Sequence, residues 1–97
     1  MNISICLIEL DGFMLSCEWP FPVLPAVNDS IAVLHFCGEA MMKKLEGMSV
    51  SQYSELEAPL RNNSKNATDL LDGVGCVVES RSWYDSGPIL FCHVTEQ

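Results

Sequence analysis

Residues 73–95 constrain the fold of this chain more than any other stretch. They contain the densest run of β-branched and aromatic residues, and residues 84–88 interrupt that run with turn-forming types. The pattern predicts two β-strands joined by a turn. The second strand is apolar on both faces, so we expect it to lie in the middle of a sheet.

Residues 3–10 and 13–19 predict another hairpin near the N-terminus. Apolar residues occupy both faces of the first segment, and they alternate with polar residues in the second. Asp11 and Gly12 separate the two segments, and this dipeptide tolerates the positive φ angles of a tight two-residue turn. We therefore predict adjacent antiparallel strands here.

The middle of the chain changes from an extended to a helical pattern. Three prolines within residues 20–25 predict an extended connector, and the apolar run at residues 31–37 predicts a third strand. Methionines and Leu45 then recur at helical spacing, which predicts a short helix ending at Gly47.

A second short helix is expected after Ser49, which begins a capping-box pattern, and Pro59 should stop it. Residues 61–72 are polar and predict an exposed loop, in which Thr68 caps at most one helical turn.

The order of elements, β-β-β-α-α-β-β, predicts an α+β fold. We expect a strongly bent five-stranded antiparallel sheet, or a small barrel, with the helical insertion between strands 3 and 4. An open sheet with both helices on one face is the alternative. The 97 residues should form a single domain, 1–97, because a chain this short has room for one core.

The balance of charge excludes some classes of partner. Thirteen acidic residues against five basic ones give a net charge of −8, which opposes sequence-independent binding to nucleic acid and to anionic membranes. No apolar run reaches the roughly 18 residues of a membrane span. Five cysteines without a close pair, and no signal-peptide pattern, favour a cytoplasmic protein.

Both histidines stand close to cysteines, at His35 and Cys37 and at Cys92 and His93. If the third and fifth strands were neighbours, a metal could join His35 and Cys37 to Cys92 or His93, although no familiar ligand spacing supports the site. The alternative is that the cysteines are small core residues. No nucleophile, phosphate-loop or dinucleotide pattern is present, so we predict no catalytic residues and no cofactor.

Four aromatic residues give the main functional hint. Trp19 and Phe21 lie in the proline-rich connector, and Trp83 and Tyr84 lie at the last turn, where large rings often contact partner proteins. The other interpretation is that these rings close the ends of the core. The sequence favours a non-enzymatic protein-interaction or assembly module that dimerises or binds another protein, with a small-molecule or metal-binding barrel as the alternative.

Overall fold

The structure is a computed structural model that describes residues 1–72 and 74–96, so Gly73, where the most constraining stretch begins, lies outside the described residues. Within these residues the chain forms five strands and three α-helices. They are β1 (Asn2–Leu7), β2 (Phe13–Glu18), β3 (Ser30–Ile31), α1 (Glu39–Glu46), α2 (Ala58–Asn63), α3 (Ala67–Asp72), β4 (Val74–Tyr84) and β5 (Gly87–Glu96). Short 3-10 helices occupy Ile8–Leu10 and Val33–Phe36.

The five strands form one curled sheet in the order β2-β1-β5-β4-β3. The α+β class is confirmed, and so is the central position of the last strand, because β5 lies between β1 and β4. The prediction of an all-antiparallel sheet is wrong, since β1 and β5 pair in parallel. A parallel pair needs a long crossover, and the whole helical insertion separates β1 from β5 along the chain. Among the described strands, β2 and β3 are the edges, so the sheet is open.

Both predicted hairpins are present. β1 and β2 pair antiparallel from Asn2 opposite Glu18 to Leu7 opposite Phe13. The tight two-residue turn predicted between them is instead a loop that includes the 3-10 helix Ile8–Leu10, and Asp11 and Gly12 close it with φ angles of 55° and 73°.

The middle of the chain differs most from the sequence-based expectation. Of the third strand predicted at residues 31–37, only Ile31 belongs to a strand, at the end of β3, because the chain then turns into the 3-10 helix Val33–Phe36. The expected helix after Ser49 is a series of turns. Pro59 does not stop a helix but stands in the first turn of α2, where its missing amide costs no hydrogen bond. The expected loop at residues 61–72 contains the end of α2 and all of α3.

One continuous core lies on a single face of the sheet. Alternate residues of β1, β2, β4 and β5 point into it, and Leu45, Tyr53 and Leu70 cover them from the helical side of the chain. No helix formed by the described residues combines the length and the apolar character needed to cross a bilayer.

Candidate functional site

The tip of the β4–β5 hairpin carries two of the four aromatic residues predicted to contact a partner. The strands pair up to Tyr84 opposite Gly87, which leaves a turn of two residues. The side chain of Trp83 is 68% exposed and that of Tyr84 is 53% exposed. Successive residues of a strand point to opposite faces, so the tip presents one large ring on each face of the sheet.

A β-bulge in β4 decides which face each ring occupies. The pairing with β5 shifts by one residue between Val78 and Ser80. After this shift Trp83 lies opposite Pro88, which is buried on the core face of the sheet. Without the bulge, the alternation would point Trp83 away from the core face. Trp83 therefore extends the apolar face of the sheet beyond the end of the core, into solvent.

Arg81 connects this hairpin to the proline-rich connector. Its Nη1 atom donates a hydrogen bond to the carbonyl oxygen of Pro25 at 3.4 Å. Arg81 and Trp83 are two residues apart in β4 and share one face of the strand. The connector and Trp83 thus lie on the same side of the sheet.

The other two predicted contact residues belong to a cluster of three rings. Trp19 is only 9% exposed, and its Nε1 atom donates a hydrogen bond to the carbonyl oxygen of Val23 at 2.9 Å. Its ring centroid lies 5.3 Å from that of Phe21 and 4.7 Å from that of Phe36. Phe21 is 54% exposed, so the buried Trp19 supports a ring that faces solvent. These residues line a cleft of about 420 Å³.

The four histidine and cysteine residues considered as metal ligands occupy different environments. His35 is exposed on the 3-10 helix Val33–Phe36, and Cys37 follows that helix and is half-buried. Cys92 is fully buried in the core, and His93 points to the opposite face of β5. No group of three or more metal-ligating side chains is found within residues 1–72 and 74–96.

His93 instead lies between two carboxylates that the sequence analysis missed. Its Nδ1 atom is 2.7 Å from Glu9 Oε2, and its Nε2 atom is 3.1 Å from Glu79 Oε1. Hydrogen bonds to Glu9 first, and then to Glu79, raise the pKa of His93 above its usual value of 6.5. Glu9 also accepts a hydrogen bond from the backbone N–H of Val94 at 2.7 Å.

Both ring nitrogens of His93 face a carboxylate oxygen in this arrangement. The three residues therefore join the 3-10 helix Ile8–Leu10 to β4 and β5. Their separations in sequence, 84 and 14 residues, leave no spacing pattern by which they could have been found.

Comparison with known proteins gives no relative from which a role could be transferred. Neither a family model, nor a curated protein, nor a solved structure matches this chain.

Proposed function

We propose that this protein is a non-enzymatic interaction module that binds another protein through three exposed rings: Trp83 and Tyr84, on opposite faces of the β4–β5 hairpin tip, and Phe21 in the connector. The observation that carries the proposal is the exposure of Trp83 and Tyr84 on a well-paired hairpin. Large exposed rings lose little conformational entropy on binding and bury a large area, which is why Trp and Tyr are frequent hot spots of interfaces.

The support beneath these rings favours a preformed surface. β4 and β5 are joined by ten residue pairs, and β5 is flanked by a strand on each side. Phe21 rests on the buried Trp19 ring. A surface that is already ordered avoids part of the entropy cost of association.

The charge of the protein indicates the chemistry of the partner. The net charge of −8 attracts basic surfaces, and Asp85 stands in the turn next to the two exposed rings. We therefore infer a protein partner with an apolar contact patch flanked by Lys or Arg, which electrostatic attraction would steer towards this surface.

A displayed library of random peptides offers a direct test. We expect selection on the immobilised protein to enrich peptides that combine aromatic or aliphatic residues with Lys or Arg. The double substitution Trp83→Ala and Tyr84→Ala should weaken their binding at least about tenfold, the loss typical of two hot-spot residues. Met14→Ala is the matched control, because Met14 is also exposed but lies on β2 at the far edge of the sheet.

Binding that survives the double substitution would refute this location of the interface, and enriched peptides without basic residues would refute the partner chemistry. A second copy of the chain is the competing occupant of the surface. Native mass spectrometry under reducing conditions distinguishes the two cases. A dimer that the double substitution converts to monomer would show that a second copy of the chain, and not a basic partner, occupies the surface.

A further inference from the structure

Cys17 and Cys37 are brought face to face by the backbone. Cys17 lies in β2, and Cys37 pairs with it through an isolated antiparallel β-bridge. Directly paired residues of antiparallel strands have Cα atoms about 4.5–5.5 Å apart and side chains on the same face. A disulfide requires Cα atoms about 4.4–6.8 Å apart, so this backbone already satisfies the main geometric condition for a bond.

The thiols of the two residues are in contact, and both are reduced. A side-chain hydrogen bond links the two sulfurs, and the Cys37 thiol donates a hydrogen bond to the carbonyl oxygen of Val33 at 3.3 Å. The pair lines a groove of about 790 Å³ on the surface. Cys37 is half-buried beside this groove, whereas Cys17 is 3% exposed beneath it. A small oxidant therefore reaches Cys37 first.

The Cys37 thiol is the more acidic of the two. The hydrogen bond with Cys17 lowers the pKa of Cys37, while the same hydrogen bond and burial raise the pKa of Cys17. Burial raises the pKa of Cys76 and of Cys92 to about 12, so these core thiols stay protonated. Thiolates, not thiols, react with peroxides, which singles out Cys37 among these four cysteines.

We propose that Cys17 and Cys37 form a reversible disulfide on exposure to hydrogen peroxide, and that this pair is an oxidative modification site. The Cys37 thiolate attacks one peroxide oxygen, the O–O bond breaks, and the released hydroxide takes up a proton to leave as water. Cys37 is now a sulfenic acid.

Cys17 then loses its proton and attacks the Cys37 sulfur, displacing hydroxide, which takes that proton and leaves as a second water. The two thiols have lost two electrons and hydrogen peroxide has gained them. A thiol reductant reverses the change by exchange.

The bond would close a loop that contains the connector and its ring cluster. Residues 18–36 lie between the two cysteines, and they include Trp19, Phe21 and Phe36. Oxidation would fix the end of β2 to the segment before α1. The inference does not depend on the proposed interaction surface, since it rests on the β-bridge, the groove and the acidity of the Cys37 thiol.

Intact mass and peptide mapping test the proposal on the unmodified chain. After treatment with dilute hydrogen peroxide, unfolding and alkylation with iodoacetamide, we expect three modified cysteines, because two of the five are consumed; the reduced protein should give five. A glutamate-specific protease separates Cys17, in fragment 10–18, from Cys37, in fragment 19–39. These two fragments should remain linked until dithiothreitol is added. The oxidised protein should also melt roughly 10 °C higher.

Single substitutions add matched controls. Cys37→Ser should give four alkylated cysteines with or without peroxide, and Cys76→Ser should give four without peroxide and two with it. The proposal is overturned if the peroxide-treated wild type still gives five, if Cys37 proceeds to sulfinic acid while Cys17 remains free, or if the linked fragments contain other cysteines.

Discussion

The imidazole of His93 joins two carboxylates, and its protonation state decides how much these contacts contribute to the stability of the fold. Because the folded-state pKa of His93 is raised above 6.5, the protonated ring is bound more tightly than the neutral one. The resulting stabilisation is fully present below pH 6.5, the unfolded-state value, and is lost as the pH rises through the folded-state pKa. The ring is 38% exposed, so solvent screening keeps the contribution below about 1 kcal/mol.

We therefore expect His93→Gln to lower the free energy of unfolding more at pH 6 than at pH 9. Urea denaturation at the two pH values measures the difference. Glu9→Gln is the companion variant, because it keeps an oxygen acceptor for the Val94 N–H but removes the charge; it should reduce the pH dependence in the same way. An equal loss at both pH values for His93→Gln would contradict the charge-based account.

Trp19 gives a second expectation at the scale of one residue. Trp19→Phe keeps most of the buried ring but removes the donor to the Val23 carbonyl oxygen. We expect a loss of about 1–2 kcal/mol in the free energy of unfolding, measured with urea, from the missing hydrogen bond and the smaller ring. Trp83→Phe serves as the control, since Trp83 is exposed, and should change stability by less than about 0.5 kcal/mol. Comparable losses for both variants would show that Trp83 also supports the fold.

Among the elements, the β4–β5 hairpin depends on the backbone of Gly87. Its φ angle is 119°, and an added Cβ atom would lie 3.4 Å from the carbonyl oxygen of Asn2. Gly87→Ala should therefore cost about 1–2 kcal/mol in the free energy of unfolding. Gly38, the N-cap of α1, has a φ of −76° and nothing within 4 Å of an added Cβ. In Gly38→Ala, the matched control, the weaker N-cap and the lower entropy of the unfolded chain oppose each other, so stability should change by less than about 0.5 kcal/mol. Similar thermal unfolding of the two variants would count against strain at Gly87.

The elements also show where sequence reasoning succeeds. Both hairpins were predictable because turn residues such as Asp11 and Gly12 stand between runs with strand periodicity. The helical insertion was less predictable. Ala67, Leu70 and Leu71 are buried in α3 although their segment is rich in polar residues, and packing against the sheet, not local propensity, makes it helical.

The candidate sites, like the elements, were only partly predictable from the sequence. Exposure of Trp83 and Tyr84 was one of two interpretations of their position near a turn, the other being that they close the end of the core. The face that each ring occupies depends on a bulge that no residue pattern predicts. The contacts of His93 with Glu9, and of Cys17 with Cys37, join residues far apart in the chain. Single-sequence periodicity reports only neighbours within a few turns, so it carries no information on such pairs.

For the whole molecule, the pairing of β1 with β5 makes the sheet depend on both ends of the described chain. A chain ending at residue 86 would lack the central strand, and β1 and β4 would each lose one of their two hydrogen-bonded neighbours. We expect fragment 1–86 to show no cooperative urea transition in Trp fluorescence. Adding a peptide of residues 87–97 should restore one, which distinguishes a missing strand from general damage. A cooperative transition of the fragment alone would refute the central role of β5.

The position of β5 also has a consequence for synthesis in the cell. It is the last of the five described strands to be translated, yet it fills the middle of the sheet, so β1 and β2 leave the ribosome long before the strand that will bury one edge of β1 exists. The nascent chain must stay unaggregated with an exposed strand edge throughout this interval. A premature stop before residue 87 would therefore yield a substrate for chaperones and proteases, not a smaller working protein.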